Sequence, residues 1–313
     1  MSAPTNPETP PAPLAEPAGP SHWRNRLLLK LTQALAGLPL PVVRALGWAF
    51  GQLLHTVAVR RRRIARTNWA LCFPHDTEAQ RNRAVREHFV RFAQAWLDRS
   101  WLWGGAEEVV RRRLEVVGDV DALLNTERVV IFAPHFVGMD AGWTALSAKM
   151  SRRLGGVYAP QLNPDVDRWM WRGRHRFGTP VDLDKRDGAK PMVSAVRAGV
   201  PVYLLPDMDH GARDSVFVPF FGVSTATLTS LPRMARLGRA KVIPVTSRIT
   251  PTGYEVRVWP VWDDYPTGEL EQDVALMNQR LEQMIATMPQ QYYWVHKRFK
   301  TRPPGEPALY QGR

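Results

Sequence analysis

The sequence predicts an α/β protein in which helices flank a largely parallel or mixed sheet, because apolar runs of strand length alternate with amphipathic helical patterns. The clearest unit covers residues 129–150. There, an unbroken apolar run typical of a buried strand leads through a tight turn into apolar residues at helical spacing. Residues 201–205, 241–245 and 254–258 repeat the strand pattern, and residues 269–288 have the pattern of a long helix.

The N-terminal 66 residues differ in character from the rest of the chain. Residues 1–22 are rich in proline and poor in large apolar side chains, so we expect a disordered tail, and they lack the pattern of a secretory signal. Residues 23–66 are rich in Leu with interspersed Arg and Lys, and Pro39 and Pro41 divide them into two helices followed by a basic run at residues 60–63.

Two interpretations of residues 23–66 are open. The helices could lie on a membrane surface with their basic residues at headgroup level, or pack on the protein's own core. We expect membrane-associated helices with a basic flank, because the formal net charge of the chain is +13. No run of about 18 uncharged apolar residues occurs, so single-pass and peripheral attachment both remain open.

The elements between these landmarks follow from the same patterns, and we expect residues 67–313 to form one domain. In chain order they are a helix over residues 76–103, a basic helix within 105–128 ending in a turn at Gly118, a strand end at 156–158, a helix over 163–177 opened by Asn163 and Pro164, a strand near Val181, and helices over 188–198 and 230–238.

Composition and missing motifs exclude several classes of protein. The basic charge indicates an anionic partner, whether nucleic acid, phosphorylated lipid, an acidic carrier protein or an anionic membrane. The single cysteine, Cys72, excludes a disulfide framework and a cysteine-based zinc site within one chain. No phosphate-binding loop, dinucleotide glycine pattern or G-x-S-x-G elbow occurs, which argues against a nucleotide-driven ligase, a Rossmann reductase and a serine hydrolase.

His135 and Asp140 are the first candidate catalytic residues. Five residues on an ideal helix rotate by about 500°, so the two side chains can meet only if the chain bends, as Gly138 permits. Asp140 would then fix the tautomer of His135, whose other nitrogen could take a proton from a hydroxyl, with helix-start N–H groups near a developing oxyanion. The alternative is a cap-like histidine and an ordinary acid in the first helical turn.

A second group of polar residues lies in the later part of the chain. Asp207 and Asp209 follow a predicted strand at the edge where open α/β sheets bind ligands. They could bind a metal, act in acid–base chemistry, order basic side chains, or simply form a turn. Arg174 and Arg176 could bind phosphate or an oxyanion through their guanidinium forks. His296, in the basic C-terminal segment, is a weaker second candidate base.

The segment HFVGMD, residues 135–140, resembles the H-x4-D/E motif of glycerolipid-type acyltransferases. Its surroundings resemble the late acyltransferases of lipid A biosynthesis, the lauroyl/myristoyl acyltransferase family. The similar segments cover most of the chain from about Trp23 onward, in order. They are LPLPVVRALGWAFG, RRRRIARTNWALCFP, APHFVGMD, an Asn followed by RGRHRFG, LLPDMDHGARDSVFVPFFGVSTAT and QYYWVHKRFKTRPPGEP.

The resemblance implies a glycerolipid-acyltransferase-like α/β fold for residues 67–313, at the cytoplasmic face of a bacterial inner membrane. It implies transfer of an acyl chain from acyl carrier protein to a hydroxyl of a phosphorylated glycolipid, a lipid A precursor, without a metal or cofactor. It further implies that residues 216–222 are either acyl-channel wall or core. The implied roles are His135 and Asp140 as base dyad, Arg174 and Arg176 as oxyanion or phosphate ligands, and Asn163, Asp207, Asp209 and Arg298 as substrate-binding residues.

Two rival functions are kept. One is acyl transfer to another lipid acceptor, such as an ornithine lipid or a different glycolipid. The other is nucleic-acid binding, in which Arg clusters would contact phosphates and the interleaved Trp residues would stack on bases. The apolar N-terminal helices and the absence of a nucleic-acid-binding motif argue against the second rival.

Overall fold

The structure is a computed structural model that describes residues 23–310, so the tail predicted at residues 1–22 lies outside the described residues. A seven-stranded sheet in the order β1-β9-β8-β2-β5-β3-β4 forms its centre, and β6 and β7 form a separate antiparallel hairpin. The strands are β1 Leu114–Gly118, β2 Val129–Phe132, β3 Leu154–Tyr158, β4 Pro180–Asp184, β5 Val202–Leu204, β6 Ser215–Phe220, β7 Val223–Leu228, β8 Lys241–Thr250 and β9 Gly253–Val258.

Five strands of the sheet run parallel, from β8 through β2, β5 and β3 to β4, whereas β9 is antiparallel to β8 and β1 is parallel to β9. The predicted mixed sheet flanked by helices is therefore confirmed. The helices are α1 Trp23–Ala34, α2 Leu40–Val57, α3 Val59–Cys72, α4 Glu78–Gly104, α5 Glu107–Arg113, α6 Val120–Asn125, α7 Met139–Lys149, α8 Pro164–Arg174, α9 Ala189–Arg197, α10 Ser230–Gly238 and α11 Leu270–Thr287.

The central strand β2 is buried on both faces, as its unbroken apolar run predicts. Val130 and Phe132 point into one core, together with side chains from α9, α10 and α11. Val129 and Ile131 point into the other, together with side chains from α7 and β9. This alternation follows from the two-residue period of a strand, and it places the C-terminal end of β2 in the middle of the sheet edge.

Residues 114–118 differ from the prediction, and residues 216–222 correspond to one of the two interpretations left open for them. Residues 114–118 form β1 where we expected the approach to a turn, because they pair along β9, a contact across more than 130 positions of sequence. Residues 216–222 enter the β6–β7 hairpin, in which Val218 and Phe220 are buried in the core. The apolar character of this segment therefore reflects core packing.

Helix α4 is the scaffold of the helical layer. A capping box between Thr77 and Gln80 defines its start, and it runs for 27 residues. Helix α2 packs on it through a face that includes Gly47 and Gly51. A Cβ atom at Gly51 would lie 2.5 Å from the Cα atom of Val90 on α4, so only glycine allows the two backbones this close approach.

Within residues 23–310, no single helix combines the length and the apolar composition that crossing a bilayer requires. Helices α2 and α3 satisfy both criteria only as a pair, and they meet at a bend of 91°.

His88 on α4 is a fully buried imidazole. Its Nδ1 lies 3.0 Å from the carbonyl oxygen of Gln290 and donates to it. Its Nε2 is buried without a partner in the described part of the chain. Burial lowers the pKa of His88 from 6.5 to about 4, because protonating Nε2 would place a positive charge in the core with no hydrogen-bond acceptor for the new N–H.

We expect His88 to make the fold acid-sensitive. Its folded-state pKa lies below the unfolded value, so the unfolded chain takes up the proton first as the pH falls. The contribution of His88 to the free energy of unfolding is complete above about pH 6.5. Up to about 3 kcal/mol of it is lost as the pH falls toward 4. Urea unfolding of wild type and His88→Asn between pH 7 and 4 should show a smaller acid loss in the variant, and parallel curves would contradict this assignment.

Candidate active site

The candidate site lies where β2 and β5 end. The two strands are parallel neighbours with Phe132 opposite Leu204, so the segments that follow them meet at one edge of the sheet. His135 follows β2 and Asp207 follows β5. The Nδ1 atom of His135 is 2.7 Å from Oδ1 of Asp207, and its backbone N–H donates to Oδ2 at 3.0 Å.

Asp207 is fully buried and accepts a third hydrogen bond, from the hydroxyl of Tyr292 at 3.0 Å. Burial alone would raise the pKa of Asp207, but the charge of His135 and the hydrogen bonds from its ring and backbone outweigh burial and lower the pKa. The ionised carboxylate therefore accepts a hydrogen bond from Nδ1–H. In this tautomer of the neutral imidazole, Nε2 of His135 carries no proton.

Nε2 of His135 has no hydrogen-bond partner among residues 23–310. The atom is exposed to solvent and not buried. The His135 side chain is 21% exposed. This nitrogen is therefore both unprotonated and accessible, which are the two properties of a general base.

Asp140 has different partners from those we predicted. Its Oδ2 accepts from Nε of Arg99 at 2.7 Å and Nη2 at 2.6 Å, and its Oδ1 accepts from Nε and Nη2 of Arg174 at 3.2 and 3.1 Å. The predicted contact between His135 and Asp140 is thus corrected to one between His135 and Asp207. The physical reason is that two guanidiniums occupy both carboxylate oxygens of Asp140, while Asp207 already holds the imidazole.

The Asp140 carboxylate is buried, which opposes its ionisation. The charges and hydrogen bonds of Arg99 and Arg174 outweigh burial and lower the pKa of Asp140. Two cations against one anion leave one net positive charge in the first turn of α7.

Gly138 precedes the first residue of this helix, and a Cβ atom there would lie 2.9 Å from the ring of Tyr254 and 3.0 Å from the carbonyl oxygen of Ser247. The glycine is therefore required by close packing.

Sequence reasoning missed Arg99. Its guanidinium carbon lies 4.8 Å from the ring centre of Trp96 and 5.6 Å from that of Trp103. The three residues are spaced i, i+3 and i+7 and so share one face of α4. A basic residue placed between two tryptophans at this spacing is the signal that could have found it.

Arg176 does not join this cluster. Its Nη1 donates to the carbonyl oxygen of Leu102 at 3.0 Å, and its Nη2 donates to that of Gly105. It closes the C-terminal end of α4, where carbonyl groups lack helical partners. These contacts give Arg176 a structural role, and its role as an oxyanion or phosphate ligand stays a prediction.

Asn163 and Asp209 also have structural partners. The side-chain oxygen of Asn163 caps α8, accepting from the N–H groups of Asp165 at 3.0 Å and Val166 at 3.4 Å. Asp209 is buried and accepts from the N–H of Thr301 at 2.6 Å and from its hydroxyl at 2.8 Å. It holds the C-terminal segment in place, and its role in substrate binding stays a prediction.

Arg298 is 1% exposed, and its role in substrate binding stays a prediction. Its guanidinium donates to the carbonyl oxygen of Ala226 at 2.8 Å and to the hydroxyl of Thr227 at 2.8 Å, and it lies over the ring of Phe220. It anchors the β6–β7 hairpin.

The second candidate base, His296, has a pKa lowered to about 4, mainly by burial and to a smaller extent by the charge of His135.

A partly open cavity of about 230 Å³, lined mostly by apolar side chains, adjoins the site between α4 and α8. We call it the α4–α8 cavity. It is lined by Val137, Met139, Tyr293, Trp96, Arg99 and Met170, among others. The ring centre of Tyr293 is 6.3 Å from that of His135, and its N–H donates to the carbonyl oxygen of His135. A base with a bare nitrogen thus stands beside a space suited to a hydrocarbon chain.

Comparison with known proteins gives a consistent result. Residues 16–301 match the sequence model of a family described as bacterial lipid A biosynthesis acyltransferase. The chain is 33% identical over 299 residues to the lipid A biosynthesis lauroyltransferase of Escherichia coli K12, covering 93% of this chain and 96% of that protein. It is 31% identical to the palmitoleoyltransferase of the same strain (93% and 95% covered) and 32% identical to its myristoyltransferase (89% and 88% covered).

Among solved structures, the chain resembles the 1-acyl-sn-glycerophosphate acyltransferase PlsC from Thermotoga maritima. Sequence identity is 14%, and the match covers 78% of this chain and 95% of that one, with a TM-score of 0.37. A similarity of this size supports no argument about function.

Proposed function

The chain belongs to the bacterial lipid A biosynthesis acyltransferases, and from that premise we propose that it transfers an acyl chain from acyl carrier protein to a hydroxyl of a lipid A precursor. The observation that carries this proposal is the placement of His135. Its Nδ1 is held by a buried carboxylate and its Nε2 is bare, beside an apolar cavity.

In the proposed reaction, Nε2 of His135 takes the proton of the acceptor hydroxyl as the oxygen attacks the thioester carbonyl carbon. The tetrahedral intermediate collapses, the carbon–sulfur bond breaks, and the leaving thiolate takes the proton from the imidazolium. Asp207 stabilises the imidazolium between the two proton transfers. Asp140 contributes by holding Arg99 and Arg174, whose excess positive charge stabilises the oxyanion or a substrate phosphate.

The direct test is a transfer assay with the purified chain. A lipid A precursor is incubated with an acyl thioester of acyl carrier protein or of coenzyme A, and the mass of the product is measured by mass spectrometry. The proposal expects acyl addition from the carrier protein at a rate unchanged by EDTA. No addition from either donor, or addition only to an ornithine lipid or another glycolipid, would overturn the assigned reaction.

We also propose that α2 lies on the cytoplasmic face of the bacterial inner membrane. Its glycine face is turned to α4, and its other side exposes apolar residues. Val42, Leu46, Leu53 and Val57 fall on one stripe at the helical period. The basic residues at the start of α3 follow directly, where they can reach anionic headgroups.

The double variant Leu46→Asp/Leu53→Asp is expected to bind vesicles containing phosphatidylglycerol at least tenfold more weakly. Burying one leucine side chain contributes about 1.5–3 kcal/mol, and about 1.4 kcal/mol is tenfold in affinity. The measurement is vesicle flotation at low and high salt. Leu237→Asp, at a half-exposed leucine on α10, is the matched control.

Equal flotation of the double variant and wild type would refute the membrane proposal. If salt-dependent binding to duplex DNA accompanied that result, the nucleic-acid interpretation would be favoured instead.

A further inference from the structure

A partition of three tryptophans divides the groove between α4 and α8. The α4–α8 cavity, beside His135, is lined by Trp96. A second cavity of about 360 Å³, which we call the outer cavity, lies farther along the same two helices and beneath α1, and Trp103 and Trp169 line it. The ring centres of Trp96 and Trp169 are 5.4 Å apart, and those of Trp169 and Trp103 are 4.6 Å apart. The first ring pair is tilted and the second packs edge to face, so the three indoles form a row between the two spaces.

The partition is held rigidly by its neighbours. Gly173 on α8 makes room for Trp103, because a Cβ atom there would lie 2.2 Å from the indole. Trp169 is 7% exposed. The guanidinium of Arg99 lies over both Trp96 and Trp103 while it binds Asp140. Packing and charge thus connect the partition to Asp140 in the first turn of α7, and the indoles cannot move aside without breaking these contacts.

The size of the α4–α8 cavity limits what can enter it. An apolar protein cavity of about 150 Å³ holds one benzene molecule, so about 230 Å³ has room for roughly nine carbon atoms. With the carbonyl carbon and its neighbours placed at His135, outside the cavity, the chain that fits has about ten to twelve carbons. A longer chain would meet the tryptophans.

We propose that the α4–α8 cavity receives the acyl chain of the donor thioester and that the tryptophan partition ends it, so that the protein selects medium over long chains. This inference rests on the proposed acyl transfer and adds the length class of the donor. The outer cavity beyond the partition, under Leu29 of α1, is the space that a longer chain would occupy if the partition were opened.

The test is competition among saturated acyl-carrier thioesters of ten to sixteen carbons, with the products resolved by mass spectrometry. Trp169→Leu is expected to raise the ratio of sixteen-carbon to twelve-carbon transfer at least tenfold, since one methylene in an apolar pocket can already change selectivity by about that factor. Val166→Phe, which fills the cavity from α8, is expected to shift selectivity toward shorter chains. Trp259→Ala, at a tryptophan remote from both cavities, is the matched control and should leave the ratio unchanged.

The two variants keep the inference testable if one of them folds poorly, because they shift the ratio in opposite directions. Active Trp169→Leu and Val166→Phe proteins with the wild-type chain profile would overturn the partition while leaving the transfer reaction intact. Absence of transfer by the wild-type protein with every chain length would instead overturn the proposed function.

Discussion

Replacing His135 by alanine should lower the turnover of acyl transfer by roughly 10²- to 10⁴-fold, the usual contribution of a general base. The variant lacks the Nε2 atom that removes the hydroxyl proton in the proposed reaction. His296, the second candidate, is a weaker base because burial lowers its pKa to about 4, and its Nε2 is buried. The measurement is single-turnover transfer from an acyl-carrier thioester, with vesicle flotation and circular dichroism as checks of folding.

His75→Ala is the matched control for this substitution, because His75 is an exposed histidine in the loop before α4. It should transfer at the wild-type rate. A folded His135→Ala protein that kept most of its activity would remove His135 from the mechanism.

Asp207→Asn should cost a comparable amount, roughly 10³-fold or more, although Asn has nearly the same shape as Asp. The amide can donate to Nδ1, which favours the tautomer that carries its proton on Nε2 and so blocks the base. The carboxylate to amide change at the equivalent position of Ser-His-Asp enzymes lowers turnover by about 10⁴ for this reason.

Asp140→Asn provides the comparison that separates the two carboxylates. Because Asp140 contacts Arg99 and Arg174, its loss should reduce the rate by up to about 10²-fold through these cations, a smaller loss than that expected of Asp207→Asn. If Asp140→Asn lowered the rate more than Asp207→Asn did, Asp140 would be the orienting acid and our interpretation of the two carboxylates would be reversed.

Local patterns predicted the frame of the site well. The apolar run of β2, the turn with His135 and the helical spacing of α7 lie within some twenty consecutive residues, so short-range periodicity and Gly138 were enough to place the base. The start of α8 was similarly evident from Asn163 and Pro164, a cap and a first-turn proline.

Contacts between distant parts of the chain were not predictable in this way. Strand β1 forms because it pairs with β9, and its own five residues carry little signal. Asp207 lies 72 positions after His135, and their contact depends on β2 and β5 being parallel neighbours. Arg99 reaches Asp140 from another helix, across 41 positions.

By itself, the sequence determined the alternation of helices and strands, the histidine at the end of a buried strand and the basic, apolar N-terminal helices, because each depends on residues close together along the chain. Only the tertiary structure decided which carboxylate holds that histidine, which arginines face the site and where the apolar cavity ends. The physical reason is that hydrogen bonds, ion pairs and ring contacts act over a few ångströms in space, and which side chains come within that range depends on how the strands are ordered in the sheet and how α4 and α8 pack.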